Sequence, residues 1–314
     1  MLILAALLAA ATPAQPAPSP QEIVDSAPAT DWPAIPVDDL LIMDLAPDAA
    51  GHARRVVIQL LPAPFSQGWI GNIRKLAAAH WWDGTAINRV QDNYVVQWGD
   101  PNEDDPKTAK ALPAGLAVVP EREYVARKVT APAGLNRETG ERYYAGGLRV
   151  GFDDYGLTQF WHGWPIGLSS DPSINLNWPV HCYGMVGVGR NLPPDTGSGA
   201  ELYAVIGTPP RQLDRNIALV GRVIEGMEYL SSLPRGHGPM GFYQTAPERT
   251  PIRAIHLASE LPTGDQPRFQ YLDTESATFA RYADARANRR DPFYIRAAGG
   301  VDICNVPVPI RRAP

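Results

Sequence analysis

The sequence has little that would hold a metal or staple a small fold. Its two cysteines, Cys182 and Cys304, are too few for a disulfide framework, and its six histidines are scattered without ligand-like spacing, so no metal centre and no other cofactor is expected. An excess of positive charge is also missing. The formal net charge is −5 and no dense Lys/Arg cluster interrupts it, which argues against nucleic acid as a partner. Long hydrophobic runs are absent too: the apolar stretch Leu2 to Ala11 is too short to span a bilayer. Small residues and prolines follow it, as in a secretory signal peptide occupying residues 1–17, with a buried N-terminal helix as the competing reading. Cleavage after Ala11, Ala14 or Ala17 would leave a flexible Pro-rich leader over residues 18–36 and no membrane span. In an oxidising compartment the two cysteines either pair or remain two buried thiols.

Hydrophobic residues, by contrast, are plentiful. They make up 45% of the 314 residues, enough for a packed core, and 32 prolines with 28 glycines imply many turns and a β-rich chain. Leu40 to Leu45 and Arg55 to Leu61 read as a hairpin around a Pro-Asp-Gly turn. Ser66 is placed to cap a helix whose apolar positions Trp69, Ile70, Ile73, Leu76 and Ala77 recur at helical spacing. His80-Trp81-Trp82-Asp83-Gly84 makes an aromatic turn into the stretch Asn88 to Pro101. That stretch reads as two short strands, joined at Asp92-Asn93 and ended by Gly99-Asp100-Pro101.

Arg89-Val90, Tyr94-Val95-Val96-Gln97 and Gly99-Asp100-Pro101, in this order after the helix and the aromatic turn, resemble the cyclophilin family's active-site stretch. Register then lapses from Asn102 to Pro179, an expected insertion whose aromatic segment Tyr143 to Leu168 is suited to cover the groove or a barrel edge. It returns at Tyr183 to Arg190, at the strand Glu201 to Ile206, and at Gln212-Leu213-Asp214 through Gly226-Met227. Glu225 to Leu233 is expected as a second capping helix, and Pro251 to Ser259 as the strand that closes on the first. The resemblance implies a mainly β fold: a closed antiparallel eight-stranded barrel capped by two helices over residues 37–259, with the insertion 102–179 and a C-terminal extension 260–314. Thr274 to Arg289 in that extension is a helix candidate with Phe279, Tyr282 and Ala283 on one side.

The activity implied is rotation about X-Pro bonds, whose barrier of roughly 18–20 kcal/mol comes from amide resonance. Catalysis then needs only a donor that weakens this resonance and a wall that holds the proline ring. The resemblance assigns Arg89, Gln97 and Tyr94 to catalysis. It assigns Val95, Gly189, Arg190, Glu201, Tyr203, Gln212, Leu213 and Ile217 to the peptide groove. Several of these depart from the family's usual residues: Tyr94 and Tyr203 add hydroxyls that must find partners, Val95 stands where a methionine is usual, Glu201 stands in the second glutamine position, Gln212 stands where a tryptophan or other large residue often sits, and Ile217 replaces the pocket histidine. Glu201 and Gln212 are expected to make the outer rim more polar. The partners implied are unfolded or flexible proline-containing polypeptides, met after export, with the bacterial periplasm as the expected location. A proline-peptide binder without turnover is the alternative. Two other motifs are dismissed: Asp195-Thr196-Gly197-Ser198 has no second copy to form an aspartic-protease dyad, and Gly187-Val188-Gly189 lacks the third glycine of a dinucleotide loop.

Overall fold

The computed structural model describes residues 16–103, 105–127, 134–135, 142–143, 151–153, 155–169 and 176–314, so most of the apolar leader lies outside the described residues. Helix α1 (Pro20–Asp25) comes first, opened by a capping box in which Ser19 and Glu22 satisfy each other's backbone N–H groups. Strands β1 (Leu40–Leu45) and β2 (Arg54–Leu60) form the expected hairpin. Helix α2 (Gln67–Ala78) buries Trp69, Ile70, Ile73, Leu76 and Ala77, the face its periodicity predicts. Its cap is different from the one expected. Ser66 adopts a left-handed conformation and its side chain caps nothing; instead Glu123, from the insertion, accepts the Gly68 N–H at 3.1 Å. An acid at a helix N-terminus also complements the helix dipole. Strands β3 (Ala86–Val90) and β4 (Val95–Gly99) then pair antiparallel across the Asp92-Asn93 turn.

The insertion supplies β5 (Ala126–Arg127), β6 (Gly134–Leu135), β7 (Arg142–Tyr143), β8 (Gly151–Asp153), β9 (Gly156–Trp161), β10 (Trp164–Leu168) and β11 (Leu176–Pro179). Five of these strands make a sheet in the order β5-β11-β10-β9-β8, while β6 pairs with β7. Trp164 and Ile166 enter the barrel's core cluster, and the guanidinium of Arg222 lies 4.3 Å from the Trp164 ring centroid. The chain returns through β12 (Met185–Val188), β13 (Leu202–Val205), β14 (Leu219–Glu225) and the short helix α3 (Met227–Ser231), then β15 (Thr250–Leu257).

These eight strands close in the order β1-β15-β3-β4-β13-β12-β14-β2, and every neighbouring pair is antiparallel. Strand alternation sends Leu41, Met43 and Leu45 inward, where they meet α2, and sends Leu40 and Ile42 outward against Ile35 and Phe269. The outward face of β1 is thus covered by the extension, whose strands β16 (Phe269–Tyr271) and β17 (Ile310–Arg312) pair with each other. Helix α4 (Ala277–Ala287) buries Phe279, Tyr282 and Ala283 as its spacing predicts. These side chains cluster with Ile23 and Trp32, so the segment expected to be a flexible leader is packed down from α1 onward. Cys182 and Cys304 are joined in a disulfide that ties the extension to the barrel, with Cα atoms 5.0 Å apart.

Candidate active site

The site begins with a bulge. In the pairing of β3 with β4 the register slips between Ile87 and Arg89, which brings Arg89 directly opposite Gln97. Opposed residues project to the same face, so both side chains stand on the outside of the barrel. The row continues across the sheet, because Gln97 is opposite Tyr203 and Tyr203 is opposite Gly187. Glycine is needed at the end of this row: a Cβ on Gly187 would lie 2.3 Å from the Tyr203 hydroxyl oxygen. Two residues along, Val95 is opposite Val205. Val95, Tyr203 and Val205 form a buried cluster on this outer face, with Tyr94 and Ile217 packed against it. An apolar cluster that includes two tyrosine rings therefore sits beside a guanidinium.

Arg89 is held on every side. Its Nε donates to Met240 O at 2.7 Å, Nη1 donates to Gln97 Oε1 at 3.1 Å, and Nη2 donates to Gln91. The charge lies 5.6 Å from the Tyr94 ring centroid and 5.3 Å from that of Phe242. Burial lowers its pKa from the ordinary arginine value, yet leaves it a cation at any physiological pH. The three bonds use three of the five guanidinium N–H groups, leaving two that have no partner among the described residues and can donate to a peptide in the groove.

Beneath the pocket lies a polar chain the sequence did not reveal. The Tyr203 hydroxyl is 2.9 Å from His181 Nε2, His181 Nδ1 is 2.9 Å from Asp214 Oδ1, and Arg211 Nε donates to Asp214 Oδ2 at 2.7 Å. With Nδ1–H donating to the carboxylate, Nε2 accepts the Tyr203 proton, and the hydroxyl that needed a partner has one. Burial, and the carboxylate of Asp214 further out, push the Tyr203 pKa well above the usual phenol value, so the hydroxyl stays protonated. His181 has no motif around it. Its partners lie 22 and 33 residues away, and only the fold brings them together.

The remaining expected residues divide. Arg190 donates from its guanidinium to the carbonyls of Asn216 and Asn191. Gly189 N donates to Glu201 O at 2.8 Å. Gln212 is exposed as expected on a 3-10 turn (Arg211–Leu213), and Leu213 is half-buried; the turn meets the pocket through Ile217, whose N–H donates to Leu213 O at 3.2 Å. Glu201 is the correction: it is not on the rim but 8% exposed, with its carboxyl lying over the backbone of Gly99, where any Cβ would overlap it. Asp195 accepts from Asn191 N and Gly197 N, the turn-forming role that its sequence suggests.

The model of the cyclophilin type peptidyl-prolyl cis-trans isomerase family matches residues 55–256, most of the barrel with its insertion. The chain belongs to that family. Among solved structures it is similar to the cyclophilin AquaCyp293 from Hirschia baltica, at 23% identity and a TM-score of 0.64 over 90% of this chain and 93% of that one, a likeness of fold. The Cryptosporidium parvum cyclophilin solved in the presence of the dipeptide Ala-Pro is a more distant match, at 13% identity and a TM-score of 0.37 over 69% of this chain and 98% of that one. No curated protein sequence matches. As a cyclophilin-type isomerase, the chain keeps the arginine and glutamine of its resemblance opposite each other, with the Tyr94 ring 5.6 Å from the guanidinium, and carries a 3-10 turn and loop from Pro239 to Phe242 laid against the arginine's strand.

Proposed function

We propose that the outer groove isomerises X-Pro bonds of polypeptides that fold after export. The observation that carries this is the placing of a fixed guanidinium beside an apolar surface that includes two tyrosine rings. Tyr94, Val95, Tyr203 and Ile217 hold the ring by contact. Arg89, anchored by Gln97 and Met240, offers its remaining N–H groups toward the prolyl amide. A hydrogen bond to that nitrogen localises its lone pair, removes double-bond character from the C–N bond and lowers the rotational barrier. No proton has to leave the protein and no covalent intermediate forms. Because the arginine is held before substrate arrives, the electrostatic term costs no reorganisation during rotation.

Export is supported by the apolar leader and by the Cys182–Cys304 disulfide, a bond that persists in oxidising compartments such as the periplasm. Among the described residues no helix is long and apolar enough to cross a membrane. Unassisted isomerisation takes tens to hundreds of seconds and limits folding, so flexible proline-containing chains are the natural substrates.

The test is a prolyl isomerisation assay on a short X-Pro peptide with wild type and Arg89→Ala. Wild type is expected to accelerate the reaction, and the variant to lose about 10²-fold in kcat/KM, the usual cost of one oriented donor. A wild type that binds the peptide without accelerating it would make this groove a proline-peptide binder. Equal activity in the two proteins would remove Arg89 from the mechanism. Amino-terminal sequencing of the protein recovered from a periplasmic fraction tests the leader.

A further inference from the structure

Glu201 lies just ahead of β13, with its Cβ against Gly189 and its carboxyl buried over Gly99 at the end of β4. Oε1 accepts the Asp100 N–H at 2.7 Å. The side-chain amides of Gln97 and Asn88 adjoin the same carboxyl. Gln97 has one accepting and one donating end, and its Oε1 is taken by Arg89 Nη1. Its Nε2 therefore serves the carboxyl, and the amide is a single-orientation bridge from Glu201 to Arg89. On the far side, Glu201 Oε2 and Asn88 Oδ1 are both buried with no partner among the described residues. Two such acceptors would leave a costly deficit of donors. Asn88, like Gln97, donates to the carboxyl, and a proton on Oε2 removes the charge that burial of this partnerless oxygen disfavours.

We propose that Glu201 is a positioning residue for the isomerase reaction assigned above: its neutral carboxyl fixes the Gln97 amide, which in turn aims Arg89 into the groove. The charged and titratable groups around it agree. Glu103 opposes ionisation from the loop after β4, and Asp100 is occupied by the N–H groups of Asn102 and Lys110. Arg190 points away to backbone carbonyls, the Tyr203 hydroxyl faces His181, and Arg89 is reached only through the amide. Burial, reinforced by Glu103 and only partly offset by the hydrogen bonds from Asp100, Asn88 and Gln97, pushes the Glu201 carboxyl pKa up to about 9. Once ionised, the group would set a full negative charge one amide away from Arg89 and cancel part of the field the guanidinium presents to the prolyl nitrogen.

The experiment compares wild type, Glu201→Gln and Glu201→Ala from neutral pH to about pH 10, by prolyl isomerisation and by the side-chain amide resonances of Gln97 in ¹⁵N NMR. Wild type is expected to lose about tenfold in kcat/KM with a midpoint near pH 9, as a buried acid with this role demands. Glu201→Gln, which carries a permanent donor and acceptor, is expected to give a profile that stays flat across this range; Glu201→Ala is expected to be impaired throughout. The Gln97 resonances should titrate with the same midpoint in wild type and not in Glu201→Gln. A wild-type profile as flat as that of Glu201→Gln, or Gln97 resonances that ignore the titration, overturns the proposal whatever the turnover. Titrating Gln97 resonances in a protein without turnover would instead overturn the isomerase assignment and leave the positioning contact intact.

Discussion

Tyr203 joins the two halves of the site, since its ring forms the pocket and its hydroxyl enters the chain His181–Asp214–Arg211. Removing only the hydroxyl in Tyr203→Phe leaves His181 Nε2 buried without a donor, at a cost of about 1–3 kcal/mol. The ring remains, so thermal unfolding should shift while KM hardly moves. Gly187→Ala should do the reverse. Its Cβ meets the hydroxyl and ring of Tyr203 at 2.3 Å, tilts the ring out of the wall, and should raise KM in the peptide assay. Glu201 makes a third prediction, whose sign follows from the raised pKa. The folded state holds the carboxyl proton up to about pH 9, whereas the unfolded chain releases it near the ordinary value of 4.5. Glu201 thus favours folding below the unfolded pKa, and this contribution is lost as pH rises from 4.5 to 9, by up to about 1.4 kcal/mol per pH unit. Chemical denaturation across this range should show Glu201→Gln gaining on wild type as pH increases. At this scale the sequence showed Arg89, Gln97 and Tyr94, because a short strand motif carries them. It misplaced Glu201, because the space beneath β13 is made by two glycines, Gly99 and Gly189, distant from it and from each other in sequence.

Among the elements, the bulge in β3 does most to shape the site, and the segment around Pro239–Gly241 holds it in place. Gly236 N donates to Val90 O at 3.0 Å and Tyr243 N to Asn88 O at 2.9 Å, while Arg89 and Phe242 form an isolated bridge. The segment thus acts as a short strand along the part of β3 that β15 does not pair with. Its approach requires Gly241, which has φ +80° and whose Cβ would sit 2.7 Å from Gln91 Cα. Gly241→Ala should lift the segment, free Arg89 from Met240 O and the Phe242 ring, and lower kcat/KM about tenfold by misplacing the donor. Amide exchange at Tyr243 checks the cause: protection there should fall while that of the β1–β2 hairpin is unchanged. The regular elements of the barrel were otherwise largely legible from period and turn chemistry, as α2 and the β3–β4 turn show, although the helix expected over Glu225 to Leu233 is only Met227–Ser231 because Glu225 still belongs to β14. Helix α1 was not, although Ser19-Pro20-Gln21-Glu22 carries a capping box with proline in the first turn. Proline-rich composition around it outweighed that local signal. The cap of α2 was illegible for a different reason, since Glu123 reaches Gly68 from 55 residues away.

Across the whole molecule, both additions to the barrel converge on the loop that carries Ile217. From the insertion, Tyr155 lies 5.1 Å from the Arg211 guanidinium and the Trp178 ring 4.6 Å from that of Arg215. From the extension, Asp302 approaches Arg211 at 4.0 Å, and Cys304 is bonded to Cys182, the neighbour of His181. The pocket wall is therefore held from outside by segments that a bare barrel would lack. Little of this could be read from the sequence, where the aromatic insertion was suited to cover the groove or a barrel edge without its contacts being legible and the cysteines left pairing and free thiols equally open. The disulfide closes a separation of 122 residues, for which the chain-entropy account gives a stabilisation of about 4–5 kcal/mol. Cys304→Ser should therefore lower the denaturation midpoint, and wild type in reductant should fall to the same value. Its effect on function should be selective. Arg89 and Gln97 stand on β3 and β4, away from the tether, whereas Ile217 and the Asp214 link to Tyr203 lose an outer support; KM should rise more than kcat falls. A midpoint unmoved by either treatment would mean that burial of Phe279, Tyr282 and Ile303 alone fastens the extension to the barrel. A fall in kcat without a change in KM would place the coupling at Arg89 instead of at the pocket wall.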